Sequence, residues 1–150
     1  MKAAMLIMAF VLCVTITGCD NNYGEETIHD TVNDVAGLSL EIKANTVSES
    51  GLTVIIRNST QNEYTFGSIY WVEKKINDKW YQVPYILENT AWSAEGYRVI
   101  ENNSIEMEVN WEWINGKLSA GNYRIIKDCI YLRAPGDYDK YYVSAEFIIE

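Results

Sequence analysis

Histidine, cysteine and proline are scarce in this chain of 150 residues, which contains one His, three Cys and two Pro. Hydrolytic and metal centres commonly need several such histidine and cysteine side chains to converge. The one histidine is His29, near the start of the chain, and no His or Cys residues occur at the spacing of zinc ligands. The sequence therefore predicts no catalytic residue, no metal site and no cofactor.

Basic residues are also few, with 12 Lys and Arg against 21 Asp and Glu, a formal net charge of −9. Such a surface repels phosphate backbones, so nucleic acid is not an expected partner. It also repels anionic lipid, so any contact with a membrane must come from another source.

Long hydrophobic runs are missing except at the beginning. Lys2 is followed by an apolar stretch over residues 3–14 and then by small residues up to Gly18. This is the pattern of a secretory signal peptide, and we assign residues 1–18 to it. A membrane-spanning helix needs about 20 apolar residues. Because Asp20 ends the run early, a plain transmembrane anchor is the less favoured alternative.

The junction Ile16-Thr17-Gly18-Cys19 resembles the lipobox of bacterial lipoprotein precursors. The resemblance implies that Cys19 is lipidated and becomes the first mature residue, which places the protein outside the cytoplasm on the bacterial cell membrane. The alternative is an ordinary signal peptide with a chance cysteine. Residues 19–36 are polar and predict a lipidated cysteine and tether, with His29 in the tether. Cys129 then remains as a lone thiol, and we expect it to be buried and inert.

From residue 37 to residue 150 the chain alternates short apolar-polar segments with turn residues, and no sustained helical period occurs. About seven such segments indicate an all-β, antiparallel sandwich of the immunoglobulin-like type. A jelly roll or a small barrel is not excluded by alternation alone. The segments lie at residues 38–44, 51–57, 69–76, 80–83, 104–111, 122–132 and 141–149, and Asn77-Asp78 predicts a hairpin turn between two of them.

The most specific pattern in this domain is Leu118-Ser119-Ala120-Gly121-Asn122-Tyr123-Arg124-Ile125. Gly121 permits a sharp turn, and Tyr123 stands where a tyrosine corner places its buried ring. With Trp80 in a Lys-Trp strand and Trp111 upstream, the pattern resembles a bacterial immunoglobulin-like domain family found in lipoproteins and extracellular regions of Gram-positive bacteria. The resemblance implies a fold and a location, and transfers no catalytic residue.

Exposed aromatic side chains are the remaining candidates for a function. One of Trp111 and Trp113 is expected in the core, and the other, with Trp92 in the loop of residues 85–97 and with Tyr138, forms a possible binding patch. The favoured function is a non-catalytic module at the cell envelope that binds a protein or cell-wall ligand. A proteinase-inhibitor-like sandwich and a carbohydrate-binding module are the alternatives. The turn at Asp137 and Asp139 offers oxygen ligands for calcium, but we interpret it as a solvated turn.

Overall fold

The computed structural model describes residues 24–87 and 91–150, which form nine β-strands and one short helix. The predicted antiparallel β-sandwich is confirmed, with nine strands where the sequence indicated about seven. The two additional strands are β3 and β6, each four residues long. The elements are β1 Leu38–Ile42, β2 Gly51–Asn58, β3 Tyr64–Gly67, β4 Trp71–Ile76, β5 Lys79–Gln82, β6 Gly96–Val99, β7 Asn103–Asn110, α1 Glu112–Asn115, β8 Gly121–Ala134 and β9 Asp137–Ile149.

The strands form two antiparallel sheets. The smaller sheet has the order β1-β2-β7, and the larger has the order β5-β4-β8-β3-β6, with β9 also paired to β8. Arg124 in β8 lies between Glu73 of β4 and Glu146 of β9, while Cys129 lies between Phe66 of β3 and Tyr141 of β9. Strands β3 and β4 therefore follow one another along one edge of β8, and β9 occupies the other edge.

The hairpin between β4 and β5 turns at Asn77 and Asp78, which have φ angles of 50° and 62°. Positive φ at both central residues is the geometry of a type I′ turn, whose twist suits two antiparallel strands. This is the turn that the sequence predicts.

The core lies between the two sheets and includes a stack of three aromatic rings. Phe147 lies 5.4 Å from the ring of Trp111 and 5.6 Å from that of Tyr123, both nearly parallel to it. The Trp111 indole donates to the Glu49 carbonyl (2.8 Å), and the Tyr123 hydroxyl donates to the Ser119 carbonyl (2.8 Å). The polar ends of both buried side chains are thus satisfied.

Residues 24–36, which we call the strap, do not form the tether expected from the sequence. They cross the outer face of the larger sheet, and His29 in their middle is only 4% exposed. At one end Thr27 N–H donates to the Trp80 carbonyl of β5 (2.9 Å). At the other end Asn33 N–H donates to the Tyr142 carbonyl of β9 (2.8 Å). The tether prediction is wrong for these residues because the strap bonds to two edge strands of the sheet, β5 and β9; residues 19–23 lie outside the described part.

A buried ion pair fixes the strap to the sheet. Arg124 and Glu73 side chains pair at 2.6 Å and are only 8% and 1% exposed. The Thr27 hydroxyl donates to the Glu73 carboxylate (2.5 Å) and accepts from the Arg124 guanidinium (3.1 Å), which also donates to the His29 carbonyl (3.2 Å). The Trp80 ring covers the guanidinium at 4.7 Å. Trp80 therefore belongs to the outer face, and not to the aromatic core.

Candidate functional site

An aromatic cavity opens where edge strand β6 of the larger sheet approaches edge strand β7 of the smaller one. Its volume is about 420 Å³, within the range of small-ligand sites. We call it the aromatic cavity and define it by the residues that give it its character: Tyr70, Trp92, Tyr97, Glu108, Asn110 and Trp113.

The rings of the cavity stand at steep angles to one another. Trp92 meets Tyr70 edge to face at 4.9 Å and 81°, and meets Trp113 at 6.2 Å and 63°. Trp113 is 49% exposed and Tyr97 is 40% exposed, whereas Tyr70 is buried. The cavity thus has a buried floor and two accessible aromatic walls.

Helix α1 directs Trp113 toward this cavity. Asn110 ends β7 and its side-chain oxygen accepts from Glu112 N–H (3.0 Å), at the start of the helix. The helical turn explains why Trp111 is fully buried while Trp113, two residues later, is half exposed. A continuous strand would have placed both on the same face.

Lys127 holds the wall that carries Tyr70. Between β3 and β4 the ladder with β8 is interrupted, and the Lys127 ammonium donates to the carbonyls of Gly67 and Ile69, each at 2.9 Å. The side chain is fully buried. Desolvation lowers its pKa to about 8, and the neighbouring Asp128 opposes this shift. Lys127 thus satisfies two carbonyls of the interruption and fixes the segment from Ser68 to Tyr70.

Among the described residues that line the cavity there is a carboxylate, Glu108, and neither Lys nor Arg. Glu108 is exposed and forms no ion pair with another described residue. The Tyr97 hydroxyl donates to Glu95 (3.0 Å). Arg98, the next residue of β6, donates two hydrogen bonds to the Glu63 carboxylate (2.6 and 2.7 Å). The charge at the cavity mouth is therefore negative.

The structure brings together two of the three residues that the sequence proposed for a binding patch. Trp92 and Trp113 line the cavity, but Tyr138 does not, because it lies opposite Leu132 in the β8–β9 hairpin. Tyr70, Tyr97 and Glu108 were missed. Their signal in the sequence is weak, since each comes from a different strand or loop, and only the fold brings them together.

Other polar groups considered in the sequence are already engaged. Burial raises the pKa of the Cys129 thiol to about 12, so the thiolate is not formed at neutral pH. Asp137 and Asp139 both pair with Arg133 across the hairpin turn.

Within residues 24–87 and 91–150 no group of three potential metal ligands was found. In the same residues no helix is long and apolar enough to cross a membrane. Cys19 lies outside the described residues.

The fold is that of a two-sheet antiparallel sandwich, and the sequence comparison identifies its class. Residues 34–148 match the model of the bacterial Ig-like domain family. The chain belongs to that family, and the match includes only the last three residues of the strap, 34–36. No match was found among curated proteins.

Proposed function

We propose that this protein is a non-catalytic binding module of the cell envelope of a Gram-positive bacterium, anchored by lipidated Cys19, with the aromatic cavity as its ligand site. The observation that carries the proposal is the pair of partly exposed rings, Trp92 and Trp113, over a buried Tyr70 floor. Aromatic side chains fixed on a rigid β scaffold are a common basis of recognition. The family supports the general class, an interaction module.

Binding is favoured over catalysis by the state of the two groups best suited to nucleophilic or acid–base chemistry. The raised pKa of Cys129 keeps its thiol protonated. His29 is packed between the rings of Trp71 and Tyr142, at 4.7 and 4.6 Å, beneath the strap. Neither residue lines the aromatic cavity.

The two alternative functions receive less support from the geometry. A proteinase-inhibitor loop must be extended and exposed. Most described residues of the loop 85–97 are exposed, but Trp92 packs against the core and Ile86 N–H is bonded to the Ile114 carbonyl (2.7 Å), and residues 88–90 lie outside the described part. A flat sugar platform needs coplanar rings, whereas Trp92 and Trp113 are inclined by 63°. A cavity that surrounds a small group suits the observed angles better than either.

Photocrosslinking in the native host tests this proposal. The full chain would carry a photoreactive amino acid at position 93, on the exposed cavity wall, or at position 31, on the exposed side of the strap. We expect a discrete adduct from position 93 alone. Trp113→Ala should remove it, because that change deletes a wall of the cavity, and Trp80→Ala on the opposite sheet face should not. Equal adducts from both positions, or an adduct that survives Trp113→Ala, would contradict the proposal.

A further inference from the structure

We infer that the aromatic cavity binds an organic cation of the alkylammonium class; this inference rests on the proposed function and names the ligand class of the same site. The ring arrangement is the first support. A cation is attracted to the face of an aromatic ring, and several rings around one position give additive attraction. Tyr70, Trp92, Tyr97 and Trp113 line one cavity from three strand or loop segments and one helix. Trp92 contacts both Tyr70 and Trp113 at steep angles, so these three rings meet the cavity in different orientations.

The charge distribution is the second support. Glu108 lines the cavity with no salt-bridge partner among the described residues, and Glu95 accepts a hydrogen bond from the hydroxyl of the lining residue Tyr97. Strand β6 also carries the exposed Arg98, whose charge is neutralised by its ion pair with Glu63. An unpaired carboxylate beside aromatic rings favours a cationic ligand and disfavours an anionic one.

The Lys127 ammonium lies behind the cavity wall, in the interior of the domain. Its position is compatible with a cation in the cavity, because its charge is bound elsewhere. Its ammonium donates to the Gly67 and Ile69 carbonyls, so its charge is directed to the interruption of the β-ladder. It is not among the residues that line the cavity.

The hydrogen-bonding groups of the cavity are the third support. The Tyr70 hydroxyl donates to the Asn110 carbonyl (2.9 Å), and the Asn110 side-chain oxygen accepts from Glu112 N–H. The Tyr97 hydroxyl is bound to Glu95. These groups already have protein partners, and among the described lining residues the Asn110 amide nitrogen and the Glu108 carboxylate are left for a ligand, which is few for a sugar that needs several direct hydrogen bonds. A methylated or alkylated ammonium head needs few, and ring faces with one carboxylate satisfy it.

Choline and its uncharged isostere 3,3-dimethyl-1-butanol have nearly the same shape, but only choline carries a positive charge. Comparing their affinities therefore measures the contribution of the charge to binding. We expect the full-length protein, titrated by calorimetry and by tryptophan fluorescence, to bind choline about tenfold or more tightly than the isostere. Trp113→Ala should weaken choline binding about 3- to 30-fold, the range expected for one cation–ring contact. Glu108→Gln should weaken it by a similar factor at low salt and by less at high salt. Glu106→Gln is the matched control on the same strand, because Glu106 is already paired with Lys43 (2.6 Å).

Equal affinities for choline and the isostere would overturn the inference, as would equal effects of the Glu108 and Glu106 changes. Binding of N-acetylglucosamine oligomers without binding of choline would also overturn it. In each of these cases a crosslink from position 93 would still support the proposed function. If the crosslink from position 93 were absent but choline still bound, the proposed function would be contradicted, whereas the inferred cation site would still be supported.

Discussion

His29 shows how much the surroundings of a single residue can change its behaviour. Its ring lies between Trp71 and Tyr142, and its Nε2 atom has no hydrogen-bond partner among the described residues. Desolvation is the main cause that lowers its pKa below the ordinary 6.5. The charges of Glu73 and Asp128 raise the pKa and oppose this shift, whereas the charge of Arg124 lowers it further. The buried ring is therefore neutral, and protonation must occur against this packing.

This position predicts a loss of stability in acid that depends on His29. The folded-state pKa of His29 lies below its unfolded-state value. As pH falls below about 6.5, the unfolded chain therefore binds more protons than the folded chain, and the free energy of unfolding decreases. His29→Phe keeps an aromatic ring between the two neighbours and removes the titrating nitrogens. We expect the variant to gain stability relative to the parent as pH falls from 8 to 5, in urea unfolding at each pH. A difference that stays constant between pH 8 and pH 5 would be evidence against this account.

At the scale of elements, the Thr27 side chain links the strap to the buried ion pair of the sheet. The Thr27 hydroxyl contacts both members of the buried Arg124–Glu73 pair, and His29 N–H donates to it as well (2.9 Å). A buried polar group left without its partner costs about 1–3 kcal/mol. The hydroxyl therefore joins the strap to a buried ion pair of the sheet.

Thr27→Val tests this role with almost no change in volume. We expect it to lower the free energy of unfolding by about 1–3 kcal/mol, because Glu73 and Arg124 each lose a hydrogen bond where water does not replace it. Thr31→Val, on the exposed side of the same strap, is the control and should change stability by less than about 0.5 kcal/mol. Denaturant melts measure both, and equal effects of the two changes would contradict the proposed role of Thr27.

The elements also show what the sequence could and could not predict. Strands with strict alternation, such as β7, were predicted because one face is buried and the other exposed. β3 and β6 were missed because four residues are too few to establish a period. The strap was interpreted as a tether because its composition is polar. Its burial arises from Thr27 and His29 meeting Glu73 and Arg124, partners 46 to 97 residues away, which no local pattern reveals.

The candidate site was predictable to the extent that it depends on individual aromatic residues. Trp92 and Trp113 were selected because an exposed patch of aromatic side chains is typical of a binding surface. Their joint position with Tyr70 and Glu108 depends on the approach of β6 to β7, which is a property of the folded chain. Tyr138 satisfied the same local criterion and lies elsewhere.

At the scale of the whole molecule, the bound strap limits the distance between the domain and a lipid on Cys19. Five residue steps separate Cys19 from Gly24, where the described chain begins beside Gln82. Their contour length is at most about 18 Å. An anchored domain would therefore be held close to the bilayer surface, in place of being lifted from it by a long tether.

Anchoring is tested by metabolic labelling with palmitate in the native host. Cys19→Ala should abolish the label and leave an unprocessed precursor, because the thiol that forms the thioether is absent. Cys13→Ala, within the predicted signal segment, is the matched control and should be labelled and processed like the parent. Retention of the label by the Cys19 variant would exclude lipidation at this position.

The strap also protects the sheet against pairing with other molecules. Strand edges with free N–H and C=O groups are templates for intermolecular pairing. The backbone of Glu25 to Thr27 occupies part of the edge of β5, and Asn33 takes up the Tyr142 carbonyl and both backbone groups of Ser144 on β9. Lipid-anchored copies diffuse in two dimensions and meet far more often than free ones. One segment of thirteen residues thus covers part of two edges of the larger sheet, β5 and β9, and limits edge-to-edge pairing there.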